Sequence, residues 1–119
     1  MRKLIAVGAA VVALGVMAIP AFGDNAIDGR ITIQGAGPFG GGIYSTDGVQ
    51  CRRSRSVSVW REKQGGDKLV ATVTSSAKAP SWSANVTAHP GSYYARMSRK
   101  VLDNGTVCSR AKSQDIAVK

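Results

Sequence analysis

Histidine occurs once and acidic residues only seven times, so the groups on which hydrolytic and metal chemistry depend are scarce. His89 sits in His-Pro-Gly, a turn composition, and no Gly-x-Ser-x-Gly elbow accompanies it, which leaves no basis for a Ser-His-Asp mechanism. The carboxylates Asp24, Asp28, Asp47, Glu62, Asp67, Asp103 and Asp115 fall mostly in turns and near the termini, not as a general acid and base pair. No Asp-x-Asp-x-Asp-Gly run makes a calcium loop, and the two cysteines form no Cys-x-x-Cys. No catalytic residue, metal or cofactor is expected. Leucine is also scarce beyond residue 23, where only Leu69 and Leu102 occur against nine valines and five isoleucines. β-Branched residues fit a pleated sheet better than a helix, and eighteen Ser and Thr with eleven Gly push the same way. The sequence predicts an all-β chain.

What is present begins with a leader. Met1-Arg2-Lys3 is basic, residues 4–19 are an uncharged apolar run, and Pro20-Ala21-Phe22-Gly23 supplies small residues. That is the three-part layout of a secretory signal peptide over residues 1–23, and the apolar run is short for a membrane span. The expected mature domain is 24–119, one unit of 96 residues with 14 basic and 7 acidic side chains, net +7. A domain of that size is marginal on core burial alone. Export to an oxidising compartment makes a Cys51–Cys108 disulfide the expected staple. With 57 positions between the cysteines, loop-closure entropy gives it about 4 kcal/mol.

Alternation of apolar and polar residues marks strands at Arg30-Ile31-Thr32-Ile33-Gln34, at 56–61, at 68–74, at 81–87 and at 92–98. Phe39-Gly40-Gly41-Gly42-Ile43-Tyr44 is extended, with the triple glycine implying a bulge or a close backbone approach. No Lys-Ser/Thr follows to make it a phosphate cradle. Asp47-Gly48 is a turn, from which Val49 to Cys51 leads into Arg52-Arg53-Ser54-Arg55, and Asp103-Asn104-Gly105 is a hairpin turn. Thr106 to Ser109 and Gln114 to Val118 complete about eight short strands. Parity places Val57, Val59, Trp82, Ala84, Val86, Tyr93, Ala95 and Met97 in one core between two sheets.

Cys51, Arg55-Ser56-Val57-Ser58-Val59, Gly65-Gly66-Asp67, Trp82, Gly91-Ser92-Tyr93-Tyr94-Ala95-Arg96 and Cys108 together carry a resemblance. Residues 39–118 resemble small secreted β-sandwich modules common in actinobacteria, of the carboxypeptidase regulatory-like, transthyretin-like kind. The resemblance implies a seven- to eight-stranded, immunoglobulin-like Greek-key sandwich. Its motifs are turn and core residues, so it implies fold and export and no chemistry.

The cations carry what functional signal there is. Arg52, Arg53 and Arg55 lie beside Cys51, while Arg110 and Lys112 follow Cys108. A disulfide is expected to draw these five to one end, where they form either a solvated rim or a contact for anionic envelope polymer. Trp60 falls on the face opposite Val57 and Val59, as an aromatic platform for sugar or as a residue buried between sheets. Asn85-Val86-Thr87 and Asn104-Gly105-Thr106 match a glycosylation sequon but read as strand and turn residues. Three function classes follow: a structural or interaction module outside the cell, partnered by another secreted protein or the envelope; a weak binder of anionic polymer or carbohydrate; and an enzyme, inhibitor or toxin, which the residues support least.

Overall fold

The computed structural model describes residues 26–46 and 48–119. The expected signal peptide lies outside the described residues. What is described is all-β: twelve strand segments in three sheets, with one short 3-10 turn at Val49–Arg52.

The first large sheet is built around β4 (Phe39–Ser45). On one side it pairs with β2 (Gly29–Ile31) and β3 (Gln34–Gly35), and on the other with β7 (Ser81–Ala84). The second large sheet runs in the order β11 (Ala111–Lys112), β8 (Gly91–Met97), β5 (Ser56–Arg61), β6 (Lys68–Thr74), and β12 (Ile116–Val118) continues along β8 beside β11. A small third sheet sets β1 (Ala26–Ile27) parallel to β10 (Val107–Cys108), which pairs in turn with β9 (Lys100–Val101).

Several segments are pieces of one strand. β2 and β3 share one register on β4, and the gap between them is Thr32 and Ile33; there Thr32 N donates to Gly42 O at 3.0 Å and Thr32 Oγ1 accepts from Gly42 N at 2.9 Å. The strand expected over residues 30–34 is therefore two short ladders joined through Thr32. β11 and β12 form one edge strand along β8 with a one-residue shift of register between them, where the Ser113 Oγ takes the Ala95 N–H at 2.8 Å. With these merged, the two large sheets hold seven strands.

The expected boundaries of β5 and β6 are those observed, joined by the Gln64-Gly65-Gly66-Asp67 turn. The β9–β10 hairpin closes over Asp103–Gly105, as Gly105 N donates to Leu102 O. One boundary requires correction: the strand expected over 81–87 stops at Ala84. Residues 49–51 lie in the 3-10 turn.

The triple glycine makes no bulge, since β4 keeps an unbroken register with both neighbours. It serves close approach instead. The Trp82 indole reaches across Gly41 and donates to Thr32 O at 2.9 Å. A Cβ on Gly41 would lie 2.0 Å from that oxygen and 2.9 Å from the indole nitrogen, so no other residue fits. A bulge lies instead in β6. Val59 pairs with Ala71 but Trp60 pairs with Leu69, which leaves Val70 as an extra residue. Val70 and Ala71 both pack against the core, and the phase of the strand changes beyond them.

The core lies between the two large sheets. Ile31, Ile33, Phe39, Ile43, Trp82 and Ala84 come from one sheet and meet Val57, Val59, Tyr93, Ala95, Met97 and Val118 of the other. Every residue assigned to the core by parity is there, with Val86 partly buried at its margin. Each large side chain fully buried in this way is worth about 1.5–3 kcal/mol. Phe39 and Tyr93 stack at 4.9 Å between centroids. Tyr93 extends beyond the core, its hydroxyl accepting from His89 N at 3.0 Å and donating to His89 O at 2.9 Å. This pins the chain at the start of β8 in the manner of a tyrosine corner.

Candidate functional site

Cys51 and Cys108 form the expected disulfide, joining the 3-10 turn to β10. The bond does not gather the five nearby cations into one group. Arg52 is half-buried and donates from Nε to Ser45 Oγ at 3.2 Å. Arg53 is exposed and lines an open hollow of about 420 Å³ with Lys100 and Asp103. Arg110 and Lys112 line a different hollow.

Arg55 corrects the sequence reading most sharply: it is 1% exposed and is no surface anion contact. Its Nη1 donates to Cys51 O at 2.7 Å, and its Nη2 is shared among the carbonyl oxygens of Ser98, Ser109 (3.1 Å) and, more distantly, Cys108 (3.5 Å). Its Nε is buried with no partner. Carbonyl dipoles, not a carboxylate, receive this charge, and burial lowers the guanidinium pKa. Its terminal nitrogens are spent on backbone, so Arg55 organises the disulfide end from within.

The second hollow, about 750 Å³ and open, lies on the outer face of the five-stranded sheet. Strand register builds it. Ser58 stands opposite Arg96, Arg96 opposite Lys112, and Trp60 opposite both Tyr94 and Leu69. Trp60 is thus half-buried on the outside and not between the sheets, with its indole N–H held by Ser58 Oγ at 3.0 Å. The Arg96 guanidinium lies 5.8 Å from the Trp60 ring centroid and 5.7 Å from that of Tyr94, and Lys112 Nζ lies 4.3 Å from the Tyr94 centroid. Arg99 and Arg110 complete the lining. Four cations line this hollow with no carboxylate among its residues.

Tyr94 is only 2% exposed, although it faces outward, because Lys112 and Arg96 lie over it. The cover is one side chain thick. Its hydroxyl donates to Asp67, which also accepts from Lys63 N at 3.3 Å. The Tyr94 hydrogen bond first, then that of Lys63, hold the Asp67 carboxyl below the usual range, with the charges of Lys112 and Arg96 assisting. The same hydrogen bond to Asp67, followed by burial, pushes the Tyr94 phenol up. Asp67 is thus engaged by Tyr94 and Lys63 at the margin of the face, where its charge offsets part of that of Lys112 and Arg96 and leaves Arg99 and Arg110 without a carboxylate in the lining.

Arg96, Arg99, Tyr94 and Leu69 were not legible as site residues. The alternation of 92–98 does put Tyr94 and Arg96 on the face away from Tyr93, Ala95 and Met97. Only the cross-strand register sets that face beside Trp60 and Lys112. Among the described residues no group of three or more His, Cys, Asp or Glu side chains is placed to hold a metal ion. His89 is exposed, and its backbone is what the fold uses. Comparison with known proteins finds no matching family, no curated relative and no similar solved structure.

Proposed function

We propose that the protein is a secreted, non-catalytic interaction module of the cell envelope or extracellular space, associating with anionic partners through the outer face of the five-stranded sheet. The observation that carries this reading is the set of four cations, Arg96, Arg99, Arg110 and Lys112, around Trp60 in a hollow without a carboxylate. Three of the four are arginines, whose planar, weakly hydrated forks suit carboxylate and phosphate. The hollow by the disulfide is a weaker choice, because Asp103 stands there beside Arg53 and Lys100. Secretion is supported by the leader-like residues 1–23 and by a disulfide, which persists in oxidising compartments. The non-catalytic part of the reading is supported by the lone turn histidine and the scattered acids of the sequence.

The immunoglobulin-like Greek-key path belongs to the same proposal, as does kinship with transthyretin-like modules. Supporting the path are the crossing of the chain between sheets from β4 to β5, from β6 to β7 and from β7 to β8, and the Tyr93 corner.

Sedimentation with purified cell walls at low and high salt tests the function. Wild type should pellet at low salt and be released at high salt, as screening shortens the Debye length from about 30 Å at 0.01 M to 3 Å at 1 M. The Arg96→Ser, Arg110→Ser double variant should stay in the supernatant. If wild type also stays in solution at low salt, the face is a solvated surface and the proposal fails.

A further inference from the structure

Successive rungs of the outer face differ in character. One carries Leu69, Trp60 and Tyr94 across β6, β5 and β8. The next carries Thr72, Ser58, Arg96 and Lys112. Neighbouring strands are about 4.8 Å apart, and side chains two residues apart on one strand are separated by about 6.7 Å. The face is therefore an apolar strip lying alongside a strip of hydroxyls and cations. The apolar strip is open at the β6 end, where Leu69 is 48% exposed. It is closed toward β8, where Tyr94 lies beneath Lys112 and Arg96.

We infer that this face takes a carboxylated polysaccharide, a chain of uronic-acid type. This rests on the reading of the outer face as the binding surface and narrows its ligand. A pyranose ring has C–H patches that suit Leu69 and the exposed part of Trp60, hydroxyls that suit Ser58 and Thr72, and, in a uronate, a carboxylate for Arg96 and Lys112. Its repeat is of the same order as the strand spacing, so consecutive sugars can follow the apolar strip from Leu69 to Trp60 with carboxylates toward the cationic strip. Polyphosphate offers charge but nothing for Leu69. Nucleic acid would stack successive bases on aromatic rings, and of the two rings on this face only Trp60 is accessible, Tyr94 being buried.

Affinity electrophoresis of the whole protein through gels containing polygalacturonate, its methyl ester, polyphosphate or a single-stranded oligonucleotide tests the inference. Leu69 and Arg96 are exposed, so Leu69→Ser and Arg96→Ser should melt like wild type. Polygalacturonate should retard wild type, with about tenfold weaker binding for either variant, each corresponding to about 1.4 kcal/mol. The neutral methyl ester should bind weakly, and polyphosphate should respond to Arg96→Ser but not to Leu69→Ser. If Leu69→Ser leaves polygalacturonate binding unchanged while Arg96→Ser weakens it, the face is a general anion surface. The polysaccharide is then wrong while the proposed function stands. Preference for the oligonucleotide, dependent on Leu69, overturns the polysaccharide in favour of nucleic acid. If no polyanion is retained by wild type, both proposals fall.

Discussion

Arg55 Nη1 donates to the carbonyl oxygen of Cys51 at 2.7 Å, so a buried cation braces the backbone directly behind the disulfide. Its other terminal nitrogen reaches Ser98, Ser109 and Cys108, and one side chain thus ties the 3-10 turn to the chain on both sides of β10. Only a planar fork spans those acceptors. Lysine would bring a single point charge and leave carbonyls without donors. Arg55→Lys should therefore lower stability by about 2–4 kcal/mol, since hydrogen bonds to a charged group are worth about 1.5–3 kcal/mol each and orphaned carbonyls add to the loss. Arg53→Lys, on the exposed neighbour, should stay within about 0.5 kcal/mol. Urea unfolding of the two variants, disulfide intact, checks this, and coincident midpoints would show that the Arg55 bonds contribute nothing.

The Tyr94–Asp67 hydrogen bond should impose two limits on stability as pH changes. Asp67 is held below its ordinary range in the folded state, so its contribution is present above the unfolded pKa of about 3.9 and is lost as pH falls through the folded value. Tyr94 is raised, so its contribution is complete below about pH 10 and is lost as pH rises through the folded value. Tyr94→Phe removes the alkaline dependence and the largest part of the acid one, leaving Asp67 its bond from Lys63 N and the charges of Lys112 and Arg96. The gap in melting temperature between wild type and Tyr94→Phe should be level between these limits and shrink in strong acid and strong alkali. A gap independent of pH throughout would refute the assignment.

Gly41→Ala should be costly although the residue sits in a regular strand. The added methyl meets Thr32 O at 2.0 Å, so either the indole of Trp82 or the β2–β3 strand must move. A loss of about 1–3 kcal/mol is expected, as for overpacked cores. Red-shifted tryptophan emission should accompany it as Trp82 loosens. Unchanged melting would mean that the sheet yields without strain.

The sequence made the sandwich legible wherever a strand keeps strict alternation. Val57 and Val59, Trp82 and Ala84, and Tyr93, Ala95 and Met97 declare their common side without knowledge of any partner. Arg55 was illegible because Arg-Arg-Ser-Arg reads as a polar loop. Its burial is caused by acceptors that lie 43 to 54 positions away, at Ser98, Cys108 and Ser109. The same holds for the candidate site: Trp60 and Lys112 can be placed outward by parity, but the alignment of Arg96 between Ser58 and Lys112 is a property of pairing. The Val70 bulge, which sets Leu69 beside Trp60, has no marker such as glycine in its own strand.

That bulge also bears on how copies of the molecule behave toward one another. Within the described residues β6 pairs only with β5, so a seven-residue strand ends its sheet with one side of its backbone unpaired. A straight edge of that length is a template on which a second chain can add a strand, and growth by repeated addition leads to fibrils. The extra residue kinks the edge and increases its local twist, while Lys68 sets a charge at its start. In a regular register without the bulge the edge would be straight, Val70 would stand opposite Trp60 and Leu69 would turn toward the core. One inserted valine thus links solubility at high concentration to the presentation of the outer face.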